Sequence, residues 1–270
     1  MKHWIPPILF IFIAVGFVQA QQPDTLRFQR AIPALAVFVT SDNLSNTYLV
    51  SPENAIVKYD TLGRKVAVFT NKRLGQAAFI DASNPLKILV WYPDFQTVLW
   101  LDRTLTEMGR LSFSKLGYYS VRCVAMAFDG NIWAFDDAIS KAVKLGLDGS
   151  VLQESPPLNI YFPKRFSATR IRDSGQYVCL SDPIAGLCTL DQYANLQDVH
   201  STMRIQDFEM EGSWMFYLDK DILYLQNMGH LLQLKLPLPK GVAEKGAATW
   251  LGKQCIYWQN GAQLEQYAWE

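Results

Sequence analysis

The chain has 270 residues, half of them apolar and 13% aromatic, with 25 basic side chains against 25 acidic ones. Balanced charge excludes a general pull toward nucleic acid or an anionic membrane surface. The apolar and aromatic content is ample for the core of one domain of about 250 residues.

In chain order, the first element is a secretory signal. Lys2 and His3 give a positive start, Trp4 to Phe17 is an apolar run, and Val18-Gln19-Ala20 offers small residues at the two cleavage positions. The run is about 14 residues, short of the roughly 20 that a spanning helix requires. The expectation is cleavage after Ala20, with residues 21–270 forming a single domain, exported to the periplasm or held at the outer membrane. No later stretch reads as a transmembrane segment.

After the signal comes a succession of short runs rich in Val, Ile, Leu, Tyr, Phe and Trp, bounded by Gly, Asn, Asp and Pro, which read as strands. The pattern repeats. Thr47 to Gly63 and Asn131 to Gly149 each give a β-rich run, a polar turn, a second run and an acidic-Gly turn, and then a third run. Weaker copies begin near Ile88, Tyr177, Phe216 and Ile256. A further apolar run precedes each copy: Leu35–Val39, Ala77–Ile80, Val121–Phe128, Phe166–Ile171, Ile205–Met210 and Ala247–Leu251. Asn195 to Met203 is the nearest approach to an amphipathic helix and also fits an outer strand.

Four strands per period of about forty residues is the signature of a propeller blade. The fold class expected is therefore all-β: a six-bladed β-propeller with four antiparallel strands per blade. The last copy lacks one strand, and Thr25 to Arg30 is expected to supply it, closing the ring and covering an edge. In that strand Leu26 and Phe28 should share one face. A β-sandwich or two smaller β domains, the rival reading, does not explain the constant period.

Cys179 and Cys188 flank a Pro-Gly turn. Centred between Pro183 and Ile184, that turn pairs the two cysteines across a hairpin, giving either a disulfide or two buried thiols. Cys123 and Cys255 read as core residues.

At Asp129-Gly130-Asn131-Ile132-Trp133 the chain resembles the NHL and gluconolactonase-like group of six-bladed propellers, whose repeats carry such a turn and then an Asp-x-x-Gly-like turn. Leu147-Asp148-Gly149 and the stretch Ala55 to Gly63 fit the same pattern. The chain is also similar to exported six-bladed propeller proteins of Bacteroidota. The gluconolactonase-like resemblance implies a divalent cation in the central channel, held by oxygen ligands. Asp81, Asp207 and Glu209, near inner strands, are the side chains available for it, though none matches that group's ligands by motif. A metal-dependent hydrolase of the lactonase type is accordingly the alternative reading.

The residues themselves argue more for binding than for catalysis. His200 and His230 sit in no zinc-binding spacing, and neither a nucleophile elbow nor a dinucleotide loop is present. No cofactor and no metal site is expected on the leading reading. In a propeller, the connections between blades share a face with the tips between second and third strands. The connections carry basic and aromatic residues: Lys72, Arg73, Tyr118, Tyr119, Tyr161, Phe162, Lys164 and Arg165. The tips carry acids, with Tyr92 and Phe95 flanking one of them. Converging aromatic and basic side chains predict a site for a protein, peptide or glycan in the cell envelope, an outer-membrane protein among the possible partners.

Overall fold

The computed structural model describes residues 25–230, 232–239, 242 and 248–269. The expected signal segment, residues 1–20, lies outside them. Among the described residues no helix is long and apolar enough to cross a membrane.

The chain opens with β1 (Leu26–Ile32) and then winds through five four-stranded meanders. Blade 1 is β2 (Phe38–Ser41), β3 (Thr47–Val50), β4 (Ala55–Tyr59) and β5 (Lys65–Thr70). Blade 2 is β6 (Phe79–Asp81), β7 (Ile88–Tyr92), β8 (Thr97–Leu101) and β9 (Glu107–Ser112). Blade 3 is β10 (Val121–Met126), β11 (Ile132–Asp136), β12 (Lys141–Leu145) and β13 (Val151–Glu154). Blade 4 is β14 (Arg170–Asp173), β15 (Val178–Asp182), β16 (Gly186–Leu190) and β17 (Leu196–His200). Blade 5 is β18 (Phe208–Glu211), β19 (Trp214–Asp219), β20 (Ile222–Asn227) and β21 (Gln233–Pro237). Blade 6 takes β22 (Thr249–Gly252), β23 (Cys255–Asn260) and β24 (Gln263–Trp269), and β1 pairs antiparallel with β24 to complete it.

The six-bladed ring and its N-terminal closure are thus as the repeat implied. The period survives because each blade must bury both faces of its inner and middle strands. In blades 1 to 3 these strands are buried at almost every position, as are the middle strands of blade 4, whereas the middle strands of blade 5 are buried at about half their positions and the outer strand β5 is largely exposed. Apolar side chains interlock between neighbouring blades, each fully buried one contributing about 1.5–3 kcal/mol. The segment Asn195–Met203 contains the outer strand β17.

The closing strand differs in detail from expectation. The register slips between Phe28 and Arg30, so the strict alternation breaks. Phe28 is 56% exposed and rests edge-on against Tyr267, while Ile32 is wholly buried. Arg30 locks the seam, donating to Gln266 Oε1 (2.7 Å), the Asp60 carbonyl (2.7 Å) and Thr47 Oγ1 (3.0 Å). The anchors of closure are therefore Ile32 and Arg30 rather than Phe28.

The hairpin of blade 4 also corrects the sequence reading. Its turn holds three residues, Pro183 to Ala185, and pairs Asp182 with Gly186. That moves the register by one, so Cys188 faces Leu180 and Cys179 faces Thr189. A shift of one residue turns a side chain to the opposite face of the sheet. Cys188 packs toward blade 3 with Trp133 and Leu180, and Cys179 toward blade 5 with Phe208 and Met210. Both are free thiols, and burial pushes both above the ordinary thiol range. Cys123 and Cys255 are buried as expected.

Candidate functional site

The six inner strands line the central channel, and their first residues mark its mouth on the face where connections and tips meet. On one side of that mouth the tips are long. Ser51–Asn54, Pro93–Gln96 and Asp137–Ser140 each give four residues between the middle strands of blades 1, 2 and 3. Each ends in a left-handed residue: Asn54 (φ 63°), Gln96 (φ 45°) and Ser140 (φ 53°).

That backbone turn directs a polar side chain onto the connection into the next blade. Asn54 Nδ2 donates to the Gly75 carbonyl (2.7 Å) and its Oδ1 accepts the Ala77 amide (2.9 Å). Gln96 accepts the Val121 amide (2.8 Å) and donates to the Val121 carbonyl (3.1 Å). Ser140 Oγ accepts the Asn159 amide (3.1 Å) and donates to the Phe166 carbonyl (3.4 Å). From β23, Gln259 accepts the Ala36 amide (3.2 Å) and donates to the Ala34 carbonyl (3.0 Å), clasping blade 6 to blade 1. These side chains satisfy backbone groups that a loop would otherwise leave unpaired.

Blades 4 and 5 are built otherwise. The left-handed residue of blade 4 is Gly186 (φ 127°), where a Cβ would stand 2.7 Å from Ser201 Cα, so no side chain fits there. The blade 5 tip is only Lys220-Asp221, with Lys220 left-handed (φ 56°). Among the described residues, neither Gly186 nor Lys220 gives a side chain to the next connection.

The junction between these blades is held inside the channel instead. Arg170 Nε donates to Asp207 Oδ1 (2.6 Å), and Arg172 forms a two-pronged pair with Glu209, both side chains being buried. Arg170 lies 4.5 Å from the Phe79 ring centroid and 5.7 Å from that of Phe38 across the channel, and Arg172 lies 4.7 Å from Phe79. The two cations stack on ring faces that attract positive charge. Burial pulls the Arg172 guanidinium down, but the Glu209 carboxylate beside it outweighs that and raises it above its ordinary value, so Arg172 stays charged.

The three carboxylates named for a channel cation have partners within the protein. Asp207 and Glu209 are committed to arginines, and Asp81 accepts the Ser83 and Met126 amides (2.9 and 3.0 Å). Among the described residues, no group of three His, Cys, Asp or Glu side chains is placed to hold a metal ion.

Where the clasps are missing, the mouth opens into a cavity of about 550 Å³. Its walls are the starts of β2, β14, β18 and β22 with the tips of blades 4 and 5. Phe38, Pro183, Leu218, Trp250 and Leu251 give apolar surface; Thr169, Gln206 and Thr249 give neutral polar groups; Arg170, Asp207 and Lys220 carry charge.

The residues singled out in the sequence fall mostly on the other, clasped side. Phe95, Tyr119 and Tyr161 are exposed, as are Lys72, Arg73 and Lys164, and Tyr118 is half-buried. Arg165 is tied to Asp137 on the neighbouring tip (2.7 Å). Two of the aromatics are not at the surface. Tyr92 ends a middle strand covered on both faces, where burial, with Glu107 nearby, pushes its hydroxyl up to about 12. Phe162 is stacked on Phe166, with centroids 4.3 Å apart. Reading loops by charge alone missed Arg170, Lys220 and Trp250. The signal was present in Arg170-x-Arg172 and Asp207-x-Glu209, opposite charges at matching positions of consecutive inner strands.

No protein-family model and no curated protein matches the chain. Among solved structures it is similar to a streptogramin B lyase, with TM-score 0.61 at 10% identity over 91% of this chain and 97% of that one. It is also similar to the WD40 domain of Neurospora crassa Pan2, with TM-score 0.59 at 9% identity over 92% and 96%. A virginiamycin B lyase from Staphylococcus aureus gives TM-score 0.52 at 9% identity over 85% and 79%. The likeness is one of fold: a β-propeller.

Proposed function

We propose that this chain is an exported binding propeller of the bacterial envelope, non-catalytic, taking a protein, peptide or glycan partner on its loop face. The observation that carries this reading is the 550 Å³ mouth between blades 4, 5 and 6, whose walls mix apolar side chains with polar groups and charges of both signs. Ligands settle in concave sites where apolar surface meets convergent polar groups. The exposed aromatics Phe95, Tyr119 and Tyr161 on the same face supply further contact area for a large partner. The export signal supports the envelope location, and the Asp129–Trp133 turn supports kinship with NHL-like repeats. The lyase activity of two similar structures belongs to those proteins, since one propeller fold hosts many functions.

The test is retention of a partner by the tagged protein after mild envelope extraction. Gln206 is exposed at the mouth, so Gln206→Trp fills the opening without disturbing the core. The expected result is a defined partner retained by the parent, lost with Gln206→Trp, and weakened less by Tyr119→Ala. A protein that runs alone at its monomer mass, or a partner indifferent to Gln206→Trp, would overturn the reading.

A further inference from the structure

We infer that the mouth is a receptor for a carboxylate carried next to an apolar group, such as the C-terminal residue of a peptide or a small hydrophobic acid. This rests on the loop-face reading and narrows it to a chemistry. Three observations converge. First, among the described residues of the lining, Arg170 and Lys220 stand against Asp207, an excess of one positive charge. Asp219 and Asp221 flank Lys220 in the chain but do not line the cavity.

Second, the acid in the mouth is already used. Asp207 Oδ1 takes both Arg170 Nε and the Phe208 amide (2.9 Å), whereas Lys220 has neither a hydrogen bond nor an ion pair among the described residues. The terminal nitrogens of Arg170 likewise have no hydrogen-bond partner among them, although the guanidinium is largely buried on the Phe79 ring. A guanidinium edge with free donors, lining the same cavity as an unpaired lysine, is a ready partner for a planar carboxylate.

Third, Lys220 holds a left-handed backbone that suits Gly or Asn. In blades 1 to 3 the corresponding left-handed residue is a neutral side chain spent on the next connection; here it is a long cation at the rim of a cavity. The two-residue turn between Asp219 and Ile222 itself calls for a left-handed first residue, so the distinguishing feature is the side chain placed there, an unpaired cation at the cavity rim. Leu218 and Trp250 beside it receive the apolar part of the ligand.

The test is calorimetric titration of the purified protein with two matched pairs: Gly-Gly-Phe with a free or an amidated C-terminus, and phenylacetate or phenylacetamide. The expected result is that an acid binds about tenfold more tightly than its amide, as a charge-assisted contact implies. Lys220→Gln should bring the acid down to the level of the amide, and Lys220→Arg should restore the preference. Preference within the tripeptide pair alone identifies a peptide C-terminus; preference in both pairs identifies a general acid site. Equal binding of acid and amide, no binding of either acid, or a preference untouched by Lys220→Gln would each overturn the inference. If Gln206→Trp abolishes partner retention while no acid preference is found, the loop-face reading stands and the carboxylate does not.

Discussion

Blades 1 to 3 and blades 4 to 5 solve the same problem in different ways. A propeller blade must be tied to the next without a continuous sheet between them. In the first half, long tips reach across the loop face and clasp the next connection with neutral side chains, as Asn54, Gln96 and Ser140 do. In the second half, the tips are short and the tie moves into the channel, as Arg170–Asp207 and Arg172–Glu209. The consequence, among the described residues, is a loop face clasped at blades 1 to 3 and unclasped between blades 4 and 5. Cohesion by clasp occupies the surface on which a ligand would sit, and cohesion by buried charge leaves that surface free.

The largest test of this contrast is to remove one member of the buried pair. Glu209→Leu leaves Arg172 charged and unpaired in the channel and should cost about 3–5 kcal/mol. The double replacement Arg172→Met with Glu209→Leu should recover most of that loss in denaturant unfolding. A single replacement that costs under about 1 kcal/mol would mean that the pair does not hold the junction.

Smaller effects should separate the two kinds of tip. Gln96→Ala strands the amide and carbonyl of Val121 and should cost about 1–3 kcal/mol. Lys220→Gly relieves a left-handed lysine and should leave stability unchanged or raise it by about 0.5–1 kcal/mol, the gain reduced by the freedom of glycine in the unfolded chain. Thermal or urea unfolding of both variants checks the contrast, which fails if the two changes have the same sign and size.

The architecture was legible because burial of both faces forces apolar β-branched and aromatic runs at a steady period. Second strands expected near residues 48, 88, 132, 177, 216 and 256 begin at Thr47, Ile88, Ile132, Val178, Trp214 and Cys255. The family-like turns were legible in only two blades for a physical reason. The turn between third and fourth strands needs a left-handed residue, and Gly63 provides it in blade 1. Leu105 (φ 61°) and Ala194 (φ 68°) adopt the same conformation without glycine. Asp102 and Asp191 hold these turns as Asp60 holds the Gly63 turn, each accepting amides two and four residues on. The geometry outlives the signature.

The mouth was less legible. Its shape depends on tip length, which a one-residue misplacement hides, as at Pro183–Ala185. Its charges lie on inner strands from different blades, and Asp207 and Glu209 resemble metal ligands until they are matched with their arginine partners 37 residues earlier.

The division of the loop face into a closed and an open side is tested most directly by native-state amide hydrogen exchange, resolved by residue. The Ala77 and Val121 amides, bonded to Asn54 and Gln96, should exchange at least about a hundredfold more slowly than the Thr202 and Gln206 amides in the connection into blade 5. Equal protection of the two connections would contradict the account, because the second half would then be held closed by contacts of the same strength as the first.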